Sequence, residues 1–124
     1  MEIPYRKIHP QFIDTFRQFG SVPDLTQESL WNYLAYGISP GGFLTSVLCN
    51  DFTGAMCKAD HTWNGQSFRD LAMWLIHRAP RESYGNSEKM QVWMKWDDIK
   101  RREIMIDRGL RPSVVDILAG RGVA

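Results

Sequence analysis

The sequence predicts an all-α fold, a compact single-domain bundle of about five to six helices spanning residues 1–124, on three observations. Prolines at 4, 10, 23, 40, 80 and 112 punctuate the chain, and apolar residues between them recur at helical rather than alternating spacing. Turn residues fall where those periodic runs stop, as with Gly20, Gly37, Gly109 and Gly120. The composition, 44% hydrophobic and 23% charged over 124 residues, suits a chain that buries its own core. No internal repeat or long linker divides it.

The elements follow in order. A short helix is expected from Pro10 to Phe19, with Phe12, Phe16 and Phe19 on one side. A second begins near Asp24 to Thr26, carries Leu30 and Leu34 as its stripe with Trp31 and Tyr33 beside it, and stops at Gly37. A third opens at Ser39-Pro40 and runs to about Asp60, because Leu44, Val47, Leu48, Phe52, Ala55, Met56 and Ala59 share one half of its circumference. Asp51 falls inside that stripe. An ionised carboxylate there requires a dedicated hydrogen-bonding or ionic partner, which makes it a structural or binding acid.

A fourth helix from Gly65 to Arg78 gathers Phe68, Leu71, Ala72, Leu75 and Ile76, leaving Asp70 and His77 on its polar face. Tyr84-Gly85-Asn86-Ser87 then delivers an N-cap, and one long helix continues from Glu88 to Asp107. That helix has two apolar sides. Met90, Trp93, Met94, Ile104 and Met105 form the core side, while Val92, Trp96 and Ile99 recur at i, i+4 and i+7 on the other. This is the spacing of helix-in-groove anchors, so the three are candidate partner-binding residues, homodimerisation included. The competing reading is that a last short helix from Pro112, through Val114, Val115, Ile117 and Leu118, covers them.

Catalytic and metal chemistry find little footing. Cys49, Cys57, His9, His61 and His77 show neither C-x-x-C nor H-x-x-x-H spacing, so no metal and no cofactor is expected. Cys49 and Cys57, eight residues apart on one predicted helix, are too distant for a disulfide and read as reduced thiols. Cys57 and His61 lie one helical turn apart, but nothing supplies an oxyanion site. Gly41 and Gly42 at a helix start could expose backbone N–H groups to an anion or a partner carboxylate, although no Lys-Thr pair makes a phosphate loop of them. The expectation is a protein that is not an enzyme.

Net charge is only +1, so nucleic-acid binding would need a local patch. Lys100, Arg101, Arg102 and Arg108 supply one, flanking a helix, a Gly109 turn and the start of another segment in a partial helix-turn-helix-like arrangement. Asp97, Asp98, Glu103 and Asp107 dilute it. A DNA-associated regulator is accordingly the alternative function, behind one in which nucleic acid is not the partner. No apolar run has signal-peptide or membrane-spanning length, which predicts a cytoplasmic protein with no membrane partner.

The run Pro40-Gly41-Gly42-Phe43-Leu44, then Val47-Leu48, Asn50-Asp51 and Ala59-Asp60, resembles a segment of small uncharacterised bacteriophage and prophage accessory proteins. There a P-G-G-F-L-x-x-V-L-x-N-D stretch precedes an A-D pair, followed by an A-P loop, a W-G-S turn and a tryptophan. Ala79-Pro80 and Trp93 continue the likeness, while Tyr84 replaces the usual tryptophan and Asn86 intervenes before Ser87. The resemblance covers roughly Leu30 to Trp93. It implies a phage origin and the cytoplasm of an infected or lysogenic bacterial cell, and it implies no activity. With it, the leading expectation is an accessory protein that binds a host or phage protein and inhibits or redirects it.

Overall fold

The computed structural model describes residues 8–61 and 63–112. Among them are seven α-helices: α1 (Pro10–Asp14), α2 (Asp24–Tyr36), α3 (Gly42–Leu48), α4 (Phe52–Lys58), α5 (Gly65–Arg78), α6 (Ser87–Lys95) and α7 (Asp98–Asp107). Two 3-10 turns, Arg17–Phe19 and Arg81–Ser83, complete the regular structure, and no strand occurs among the described residues. The fold is all-helical, as expected. The segment with Val114, Val115, Ile117 and Leu118, predicted as a covering helix, lies outside the described residues.

Four of the helix starts, those of α4, α5, α6 and α7, are set by Asx side chains that accept N–H groups the helix itself leaves unpaired. Asp51 takes the Gly54 N–H at 3.0 Å, Asn64 that of Ser67 at 2.9 Å, Asn86 that of Lys89 at 2.8 Å and Asp97 that of Lys100 at 2.8 Å. Two of these caps correct the sequence reading. The single helix expected over 39–60 is two, α3 and α4, and the single helix expected over 88–107 is also two, α6 and α7.

Each break has a local cause. After Leu48 the backbone turns left-handed at Asn50, φ +63°, which lets Asn50 N–H reach Val47 O and Asp51 N–H reach Ser46 O, at 3.0 and 2.8 Å. This is a Schellman turn with asparagine in the position glycine usually takes. At the second break Trp96 is extended, ψ 152°, and Asp97 restarts the helix. The first predicted helix is shortened similarly: α1 ends at Asp14 and a 3-10 turn carries the chain to Phe19.

The core is aromatic. Phe12, Phe16, Trp31 and Trp74 are buried together, with Phe12 edge-on to Phe16, Trp31 and Trp74 and with Phe16 stacked on Trp74 at 4.5 Å. Such rings remove large apolar areas from water, and polar atoms carried in with them need partners. Trp74 Nε1 donates to Thr15 Oγ1 at 2.8 Å, Trp93 Nε1 to Tyr33 O at 3.2 Å, and Tyr33 OH to Ser83 O at 2.6 Å. Burial holds the Tyr33 hydroxyl well above its usual range, so it stays a donor. Asp70, expected on a polar surface, is buried instead. It accepts the Ser21 backbone N–H at 3.0 Å and Gln66 Nε2 at 2.7 Å, and the first of these holds its carboxyl below the usual value.

α2 packs on α7 and α6, α3 on α4, and α5 on the Arg17–Phe19 turn. Where α2 ends, Gly37 adopts φ +65° and its N–H bonds Tyr33 O at 3.0 Å. A Cβ added there would lie 2.8 Å from Arg101 Nη1 and 3.0 Å from Met94 O. Gly37 is therefore required both by its backbone conformation and by the close approach of α7. Gly37→Ala is expected to destabilise the protein by about 1–3 kcal/mol, seen as a lower urea midpoint with an unchanged slope; an unaltered midpoint would show that neither requirement holds.

Candidate functional site

Asp51 is neither buried nor part of an apolar stripe, contrary to expectation. It is exposed at the start of α4, where its carboxylate serves as the helix N-cap. The wheel that placed it inside assumed one continuous helix, and the left-handed turn at Asn50 rotates it out. Gly54 makes room for it. A Cβ at Gly54 would fall 2.2 Å from Asp51 Oδ2, so a larger residue would displace the carboxylate.

Beside Asp51 opens a groove of about 380 Å³, lined by Val47 from α3, Asn50 and Asp51 from the α3–α4 turn, Phe52 and Ala55 from α4, and Phe68, Leu71, Ala72, Leu75 and Ile76 from α5. Tyr84 and Gly85 complete the lining, anchored by the Gly85 N–H donating to Leu48 O at 2.7 Å. Phe52 is 73% exposed and Ile76 59% exposed. Large apolar side chains left this open on adjoining walls of a concave surface mark a place where another molecule gains by covering them. Another recess, about 570 Å³, is lined by Asp14, Arg17, Gln18, Phe19, His77 and Arg78 and is largely charged, with Arg17 already paired to Asp14 at 3.1 Å.

Val92, Trp96 and Ile99 do not form one helical face. Val92 belongs to α6, Ile99 to α7, and Trp96 is the extended residue between them. Val92 is 48% and Ile99 65% exposed, whereas half-buried Trp96 packs against Trp93 at 5.5 Å and has Lys100 Nζ 4.1 Å above its ring. Trp96 is thus largely a cover for the core with a cation on top.

The basic residues considered for nucleic acid separate in the same way. Arg101 is 3% exposed, and its guanidinium donates to Ala35 O, Trp93 O, Met94 O and Trp96 O while pairing with Asp98. It is an internal clamp, not a phosphate contact. Arg108 caps the end of α5, donating to His77 O at 3.1 Å and Arg78 O at 3.3 Å. Lys100 lies over Trp96, and Arg102 is exposed.

Gly41 and Gly42 begin α3, which is seven residues long. Such a short helix is a poor anion site, and Lys58 packs its side chain against Gly42 while its Nζ donates to Ser46 Oγ at 3.0 Å. Cys49 and Cys57 are free thiols, the first half-buried with its Sγ 3.3 Å from Met90 Sδ and raised in pKa chiefly by burial. Cys57 lies within α4 and His61 beyond its end, so the helical-turn spacing that would bring them together is not formed. Among the described residues no three His, Cys, Asp or Glu side chains gather as a metal site requires, and no helix is long and apolar enough to cross a membrane.

No family model, curated protein or solved structure matches the chain. The groove was invisible to sequence reasoning because its walls come from helices separated by a turn that the apolar periodicity ran through. The pair Asn50-Asp51, followed three residues on by Gly54, was the available signal for that turn. Because Asp51 works as an exposed cap, Asp51→Ala should cost about 1 kcal/mol, and Asp51→Asn, which caps equally well, no more than a few tenths. Thermal unfolding of both variants checks this; a loss from Asp51→Asn as large as that from Asp51→Ala would mean that the charge, not the cap, is what the fold uses.

Proposed function

We propose that this chain is a non-enzymatic accessory protein of bacteriophage type that binds a host or phage protein and inhibits or redirects it, and that it does so through the groove between the α3–α4 turn and α5. The observation that carries the reading is the groove itself, an open apolar concavity with Phe52 and Ile76 exposed at its edges. The phage-like segment Pro40–Asp51 supports it, since Val47, Asn50 and Asp51 from that segment line one wall. Binding rather than chemistry is favoured because the lining holds one carboxylate and no nucleophile–base pair.

A second binding surface is favoured by one specific observation, the exposure of Val92 and Ile99 on either side of Trp96. The DNA-associated alternative has less behind it, since Arg101 and Arg108 are committed to backbone carbonyls within the fold. Two variants separate these surfaces. Ala72→Trp plugs the groove from an exposed position on α5, and Val92→Lys/Ile99→Lys alters the other surface; both are expected to fold as the parent does. A protein captured from bacterial lysate by the tagged parent should be lost with the plug and kept with the double lysine variant, and calorimetry with that purified protein should show the same. Loss with the lysine variant alone would move the site to α6 and α7.

A further inference from the structure

Resting on that reading, we infer that the groove is matched to a protein segment presenting large apolar side chains beside a lysine or arginine. Among the residues that line it, Asp51 is the one charged side chain, and it stands at the edge where exposed Phe52 begins α4. Its carboxylate is held in place: Oδ1 accepts the Gly54 N–H, and the missing Gly54 Cβ leaves space for Oδ2. A fixed carboxylate costs a partner cation little ordering on its side of the contact.

Among the described residues no lysine or arginine belongs to the lining. Lys58 donates to Ser46 Oγ and packs against Gly42, while Lys89 lies against Gly85, its Cδ and Nζ 3.4 and 3.6 Å from where a Gly85 Cβ would stand. The interior of the groove, from Val47 through Leu71 and Leu75, is aliphatic and aromatic, so affinity comes from apolar burial and the choice among apolar segments from the acid at the rim. A second copy of this chain fits less well. A two-fold contact through the groove would bring two Asp51 carboxylates into one interface, and the lining offers no cation to pair them.

Two fluorescein-labelled 14-residue helical peptides provide the test, both with leucine at i, i+3, i+4 and i+7, one with lysine and the other with glutamate on the flanking positions. Fluorescence anisotropy with the whole protein at low salt should show the lysine peptide binding roughly three- to fivefold tighter, the size expected of one rim ion pair. Asp51→Asn, which keeps the cap, should bring the two peptides within about twofold of each other, and Ala72→Trp should abolish binding of both. Equal binding of the two peptides to the parent, still lost with Ala72→Trp, overturns the cation preference and leaves the groove as the binding site. Binding that survives Ala72→Trp, or no binding at all, overturns both. A lysine preference unchanged by Asp51→Asn assigns the selectivity elsewhere. Sedimentation showing a dimer that Ala72→Trp abolishes gives the groove to a second copy and overturns the inference.

Discussion

A single buried guanidinium joins three helices of this molecule, α2, α6 and α7. Arg101, on α7, reaches the carbonyl of Ala35 at the end of α2 and those of Trp93, Met94 and Trp96 at the end of α6. Helix ends carry unpaired carbonyls and partial negative charge, so a cation placed where two of them converge meets both needs at once. Charge-assisted hydrogen bonds of this kind contribute about 1.5–3 kcal/mol each, and stranding the acceptors costs a comparable amount. Asp98, one turn back on α7, supplies the counter-charge. Gly37 is part of the same arrangement, since only a residue without Cβ leaves the guanidinium its place.

That clamp also explains why α6 and α7 are two helices. Continuing α6 through Trp96 would keep the carbonyls of Trp93 and Met94 within the helical ladder; ending it at Lys95 turns them to Arg101, and Asp97 accepts the Lys100 N–H at the start of α7. An analogous break makes the groove. With α3 and α4 fused into one rod, Phe52 and Ala55 would continue the line of Leu44 and Leu48. The left-handed Asn50 swings them into a wall facing α5. In both places a short polar side chain overrides an apolar periodicity that extends across it.

Much of the fold was legible. α5 begins and ends at the residues its apolar spacing and flanking Pro80 indicated, and α2 stops at Gly37 because the C-cap conformation leaves few alternatives. The turn at 84–87 was readable as delivering an N-cap, and Asn86 is the residue that does so, with α6 starting at Ser87, one residue earlier than expected. The two breaks were not, because Leu44 to Ala59 and Met90 to Met105 keep helical spacing across them while the caps are single residues. Arg101 looked like one of several surface cations for a similar reason: its partner at Ala35 is 66 positions away, a relation that no local pattern carries. The groove shares that limit, being assembled from α3, α4, α5 and the Tyr84-Gly85 turn.

Native-state amide exchange of Arg101→Met against the parent tests the clamp most directly. Methionine keeps the apolar stem and deletes the donors, so the account predicts a loss of about 3 kcal/mol or more in global stability. It also predicts that protection falls together at the end of α2, at Gly37 and Ile38, and at the end of α6, at Trp96. A variant within about 1 kcal/mol of the parent, or one whose protection is lost in α7 alone, would contradict the claim that Arg101 holds the two helix ends together.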